Sequence, residues 1–186
     1  MITKVRHLST EELDAGLDLI RQSPADGGTL QMISRRPAID ERELLQEGQL
    51  DLKEGLAGDS WSTRGRRSDP PREPNPDTQL TLMNSRVADL VSGSQERWPL
   101  AGDQLFVDLN IGLDNLPAGT RLAVGSAVIE VTAEPHTGCK KFVARYGMEA
   151  MNFVNSPEGK HMCLRGINTK VVEAGAIRVG DKITKV

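Results

Sequence analysis

Apolar and polar residues alternate most sharply in GTRLAVGSAVIEVTAEP (119–135). Two β-rich runs there flank Gly125–Ser126, the pattern of a tight hairpin. GDQLFVDLNI (102–111) also alternates and reads as a strand. GTLQMISRRP (28–37) reads as a strand whose alternation breaks at Met32–Ile33 and which Pro37 stops. The C-terminal stretch CLRGINTKVVEAGAIRVGDKITKV (163–186) divides into short strands at Gly166, Gly175 and Gly180–Asp181. Helical spacing appears in three places. STEELDAGLDLIRQSP (9–24) has Ser9 and Glu12 in capping-box register before Leu13, Leu17 and Ile20, and Pro24 closes it. TQLTLMNSRVADLVSG (78–93) predicts a strand over Leu80–Met83, then a helix capped by Asn84 or Ser85 with Val87, Leu90 and Val91 on its apolar face. In HTGCKKFVARYG (136–147), Thr137 is the expected cap of a helix carrying Phe142, Val143 and Tyr146 and stopped by Gly147. ERELLQEGQLDLKEGLAGD (41–59) is mixed, helical in composition at first and glycine-broken later. Many short strands with glycine turns predict a mainly β, α+β chain, a barrel or sandwich with a few helices attached.

Residues 60–78 differ from the rest. Four prolines and several arginines with almost no apolar residues predict a mobile surface loop. A second reading is a lid over an anionic ligand, using Arg64, Arg66 and Arg67. The full length of 186 residues suits one domain, and 38% hydrophobic residues suffice for a core. With only 3% aromatics, that core must rest on Val, Leu, Ile, Met and Ala. A net charge of −3 argues against general nucleic-acid affinity. No apolar run reaches the length of a membrane span, and the N-terminus carries no secretory apolar core, so a cytoplasmic location is expected.

Two cysteines, Cys139 and Cys163, fall short of the thiolates an iron–sulfur cluster needs. The three histidines are scattered at His7, His136 and His161, which argues against a structural zinc site. Cys139 is expected in the first turn of its helix, where unpaired N–H groups, the helix dipole and the charges of Lys140, Lys141 and Arg145 all favour a thiolate. Such a helix end can also hold a phosphate. Two readings stand for Cys139: a small inert core thiol, or a nucleophile and soft-metal ligand in a positive field. His136 is either a ligand-orienting or proton-transferring group or a loop histidine bonded to a nearby carbonyl. Cys163, in HMCLRG (161–166), is expected on a strand and inert. A cysteine hydrolase built from Cys139 with His136 or His161 remains a third, weaker-founded option, since spacing alone assembles no triad.

PHTGCKKFVARYG (135–147), with GLAGD (55–59) and QLTLMNSRVADL (79–90) before it and LRGINTKVVEAGAIRVGD (164–181) after it, resembles the MOSC domain. That domain is found at the C-terminus of molybdenum cofactor sulfurases and in small stand-alone proteins. The resemblance runs from about residue 52 to the C-terminus, with residues 1–50 as an N-terminal extension packed on a single domain. It implies a barrel-like, strand-rich fold. It implies that Cys139 coordinates molybdenum or carries sulfur as a persulfide, and that the cofactor is of molybdopterin type. The cofactor's phosphate makes Lys140, Lys141, Arg145 and Arg86 candidate contacts, with Thr137, Gly138, Asn84, Ser85 and Asn168 beside them. The implied activities are reduction of N-hydroxylated small molecules or sulfur transfer to another protein. The sequence contains neither a lysine-bearing desulfurase domain nor a cysteine-rich electron-transfer domain. Sulfur or electrons are therefore expected from separate proteins, and pyridoxal phosphate is not expected.

Overall fold

The computed structural model describes residues 6–65 and 70–186. In chain order its elements are α1 (Thr10–Ala15), α2 (Leu17–Arg21), β1 (Gly28–Arg35), β2 (Glu43–Leu45), β3 (Glu47–Asp51), β4 (Gly55–Leu56) and α3 (Trp61–Arg64). They continue with β5 (Leu80–Asn84), α4 (Ser85–Ser92), β6 (Leu105–Asp108), β7 (Arg121–Val124), β8 (Ala127–Val131), α5 (Lys140–Tyr146) and α6 (Met148–Asn155). The last are α7 (Pro157–His161), β9 (Ile167–Glu173), β10 (Gly175–Arg178) and β11 (Lys182–Lys185). Strands β11, β7, β8, β9, β5, β6 and β1 form a ring, closed because β11 pairs back onto β1. The fold is therefore α+β, with a seven-stranded barrel at its centre. Among the described strands only β5 and β6 run parallel, and α4 lies in the crossover between them. Strand β2 extends the ring beside β1, while β10, β3 and β4 make a small separate sheet.

Successive side chains on a strand face opposite ways, and the barrel uses both faces. Leu82, Leu105 and Val107 fill the interior with Leu30, Ile129 and Ile183. Their neighbours Met83 and Phe106 turn outward and pack with Leu13, Val87, Phe142 and Tyr146 of the helices. This two-sided burial makes all five residues of β5 inaccessible. Closure by β1 also revises the reading of residues 1–50. Part of that segment is a stave of the barrel, paired with β6 and β11, and not only an extension packed on it.

The capping box forms as expected: Glu12 N donates to Ser9 Oγ and Ser9 N to Glu12 Oε2. The predicted helix is split, however, into α1 and α2 at Gly16, where the Leu90 side chain presses close. The hairpin turns at Gly125–Ser126 as predicted, with Val124 opposite Ala127. Residues 41–59 are strand rather than mixed, because Gly48 and Leu50 sit inside while their neighbours face out. The 60–78 segment is anchored at both ends, contrary to the expectation of an unpacked loop. Trp61 is buried, its N–H groups reaching Asp59 and Thr78, and Pro76–Thr78 forms a 3-10 turn. Arg66 and Arg67 lie outside the described residues. Cys163 is not on a strand. Helix α7 ends at His161, Cys163 adopts φ +52°, and β9 starts only at Ile167.

Leu82 is fully buried at the seam where the one parallel pair meets the antiparallel sheet. Leu82→Ala should cost about 2–5 kcal/mol in urea unfolding, through lost burial plus a residual cavity.

Candidate functional site: a thiol on the rim of a cationic pocket

The chain from β8 to α5 is pinned step by step. Thr132 Oγ1 donates to Asp77 O at 2.6 Å. Asn168 Nδ2 donates to Glu134 O and Pro135 O at 3.1 and 3.3 Å. Gly138 N donates to Asn155 Oδ1 at 3.1 Å. The helix cap then falls two residues later than the sequence suggested. Cys139, not Thr137, is the N-cap, and its carbonyl accepts from Phe142 N and Val143 N. Its side chain makes no capping bond, and the residue is exposed. The core-thiol reading of Cys139 is thus replaced by an accessible thiol.

His136 is held by a buried charge. Its Nε2 lies 2.8 Å from Asp103 Oδ1, and Arg165 Nη1 donates to Asp103 Oδ2 at 2.6 Å. Burial by itself pushes the Asp103 carboxyl upward, but the charges of Arg165 and then His136 outweigh it and hold the group down at about 2. An ionised Asp103 only accepts, so His136 Nε2 carries a proton. In the neutral ring, Nδ1 is then a bare acceptor with no partner among the described residues. Gly166 makes this approach possible. It sits at φ +116°, and a Cβ there would lie 3.0 Å from His136 Cδ2 and 2.5 Å from Leu82 O. Arg165 also donates to Ala101 O, and its guanidinium lies 5.2 Å from the Phe142 ring centroid. Its Nε is buried with no acceptor.

Cys139 opens onto a pocket of about 450 Å³ whose wall carries Arg36, Arg42, Arg64, Arg145, Arg165 and Lys141. Arg36 is neutralised by the buried Asp59 through paired bonds of 2.9 Å and also donates to Gly102 O. Burial, then the nearby charges of Arg145 and Arg36, push the Arg42 guanidinium below its ordinary value. The carboxylate facing the remaining cations is Asp40. It lies 3.5 Å from Lys141 Nζ and 3.6 Å from Arg145 Nη2, and is itself 67% exposed.

Of the residues singled out from sequence, the pocket gathers Cys139, His136, Lys141, Arg145, Asn168 and Arg64. Lys140 is exposed and lies outside its lining, and Thr137 faces a neighbouring pocket. Asn84, Ser85 and Arg86 are elsewhere. Asn84 caps α4 and bonds Ser23 Oγ and Leu109 O, Ser85 is buried on α4, and Arg86 pairs with Asp108. His161 pairs with Asp114 and lines a different pocket, which removes it from any arrangement with Cys139. Arg36, Arg42, Asp103 and Arg165 were missed. Arg165 had a weak signal, an arginine next to the glycine that opens a strand. Asp103 had none.

Fold and site define a small barrel protein with an accessible thiol beside a cationic pocket. The sequence pattern of the MOSC domain matches residues 76–184, and the chain belongs to the MOSC family. Among solved structures it is similar to YuaD from Bacillus subtilis, at 17% identity and TM-score 0.55 over 84% of this chain and 93% of YuaD. It is also similar to YiiM from Escherichia coli, at 16% identity and TM-score 0.54 over 85% of this chain and 69% of YiiM. These likenesses show the fold. No curated protein matches the sequence. No described helix is long and apolar enough to cross a membrane.

Asp103→Ala leaves Arg165 as an uncompensated buried charge, and urea unfolding should register a loss of about 3–5 kcal/mol. The wild type should show an acid limb with a definite sign. The Asp103 carboxyl is depressed on folding, so its contribution of about 2 kcal/mol is present above pH ~4 and lost as the pH falls towards ~2. In Asp103→Asn, that part of the acid limb should flatten.

Proposed function

We propose that the chain binds a molybdenum–pterin cofactor, with Cys139 as a thiolate ligand and the cationic pocket receiving the cofactor's phosphate. The observation that carries this is the exposed thiol on the rim of a pocket lined by five arginines and Lys141. The donor set fits. A thiolate is a soft ligand suited to such a metal. Among the described residues no group of three His, Cys, Asp or Glu side chains could hold a metal alone, so the metal would bring most of its ligands on its own organic carrier. Arg165 Nε, buried in the pocket wall, also has no acceptor among the described residues. When bound, the cofactor supplies a metal that exchanges electrons, and the proposed reaction is reduction of an N-hydroxylated small molecule with electrons from a separate protein. In this reading Cys139 fixes the metal, while Arg42, Arg64, Arg145 and Lys141 orient the anion. His136, its tautomer set by Asp103, holds or delivers a proton at Nδ1.

Protein purified from a molybdenum-replete host should contain molybdenum and pterin, and Cys139→Ala should lose the metal while remaining folded. Wild type lacking both, with no gain on reconstitution, would overturn the proposal. Asp40 occupies the cations that the anion needs, and it does so at φ +60°, a conformation Asn also tolerates. Asp40→Asn should therefore tighten binding of inorganic phosphate by about five-fold at low salt, as measured by calorimetry.

A second reading rests on the same exposure. A thiol without a hydrogen-bond partner is open to a protein sulfur donor, so Cys139 can instead carry a persulfide for cofactor or cluster assembly elsewhere. Intact mass spectrometry after incubation with a desulfurase should then show one added sulfur on Cys139. Sulfur on Cys163, or on neither, would rule this version out.

A further inference from the structure

The link between β8 and α5 has two sides. The cationic pocket lies on one. On the other is a pocket of about 580 Å³ whose wall includes Leu116, Val131, Val154, Ile167, Ala118 and Cys163. Pro135, His136, Arg165 and Asn168 line both. The partition is therefore the segment that Asn168 pins by two backbone carbonyls and Asp103 pins through the His136 ring. A partition held at both ends can keep two ligands apart while one side chain reaches each.

The chemistry of the second pocket contrasts with the first. Its size suits a small organic molecule, and its wall is mostly aliphatic. Arg165 is already neutralised by Asp103. The other charges, Glu134 and Lys160, are exposed and of opposite sign, so the lining offers no net charge. Cys163 adds to the apolar character, since burial pushes its thiol up to about 11 and keeps it neutral. An ionised ligand would lose hydration here without gaining a counter-charge. His136 Nδ1, on the dividing wall, is an acceptor with no partner among the described residues.

We infer that this second pocket binds a small organic ligand of its own, an uncharged, ring-sized molecule that presents an N–H or O–H group to His136. This binding does not rest on the cofactor reading above. The pocket is formed by the chain alone, and its occupant is selected by neutrality and by one donor. The phosphate-bearing ligand and this neutral ligand then occupy opposite faces of the same pinned segment.

The test uses the full chain without metal. Two probes, 4-fluorobenzamide (neutral, with N–H donors) and 4-fluorobenzoate (anionic), are titrated by fluorine NMR. The amide should bind at least ten-fold tighter than the acid, and inorganic phosphate should not displace it. Ala118→Trp, a change at an exposed position of the rim, should weaken the amide ten-fold or more while leaving phosphate binding unchanged. If that variant does not fold, Leu113→Trp, on the same rim and also exposed, takes its place. Preference for the acid, displacement by phosphate, or amide affinity indifferent to the folded rim variant would each overturn the inference. Absence of molybdenum from the wild type would defeat the cofactor reading and leave this binding result standing.

Discussion

A carboxylate cut off from solvent stays ionised only if its surroundings supply the charge and hydrogen bonds that water would have given. Asp103 meets that condition with one partner on each oxygen, Arg165 and His136. Those partners come from distant parts of the chain. Asp103 precedes β6, His136 lies in the link after β8, and Arg165 precedes β9. One buried charge therefore fixes the relative positions of three segments at one end of the barrel. Cys139 follows His136 by three residues, with Gly138 tied to Asn155 between them, so the place of the thiol is largely settled by where Asp103 holds the ring. The approach also requires Gly166, because any side chain there would collide with the barrel wall before reaching the His136 ring.

The pocket's sign comes from an imbalance and not from the number of arginines. Arg36 is paired with the buried Asp59, and Arg165 with the buried Asp103, which His136 shares. Such pairs orient a wall without leaving charge for a ligand, and breaking one is costly because the survivor stays buried. Arg42, Arg64, Arg145 and Lys141 are the cations left to act outward, and the mostly exposed Asp40 pairs with two of them, Lys141 and Arg145. A chain with a net charge of −3 thus carries a positive pocket. Bulk charge excluded a general nucleic-acid surface, but it could not reveal a local field built from residues far apart in sequence.

Local patterns were legible where local physics decides the outcome. The capping box at Ser9, the Asn84 cap and the hairpin at Gly125–Ser126 each depend on residues within a few positions of one another. Residues 41–59 misled because glutamate and leucine suit a helix locally, whereas pairing of β3 with β10 and β4 across the fold decides for strand. Trp61 was hidden inside a proline- and arginine-rich stretch, and its burial depends on partners outside that stretch. At the site, Cys139 and its cationic neighbours on α5 were readable because they are contiguous. Arg86 and Asn84 were readable only as types, and the structure spends them on Asp108 and on the α4 cap. The Asp103 triad was unreadable, because its members are 33 and 62 residues apart and meet only when the barrel closes.

The two cysteines show how far environment outweighs residue type. Cys163 follows α7 at a left-handed backbone position, half-buried against the barrel core, and its thiol directs its hydrogen towards Lys160 O at 3.6 Å. Burial raises its pKa to about 11, so it stays protonated near neutral pH and is a poor ligand and nucleophile. Cys139 is exposed, ends an irregular segment and shares its pocket with cations. A soft metal or a sulfur donor arriving at this end of the barrel therefore meets one competent thiol among the described residues. The inert cysteine does not compete with it, and its neutrality keeps the adjoining apolar pocket free of charge. The two sides of the link differ because one gathers cations without buried carboxylates and the other gathers aliphatic side chains and a neutral thiol.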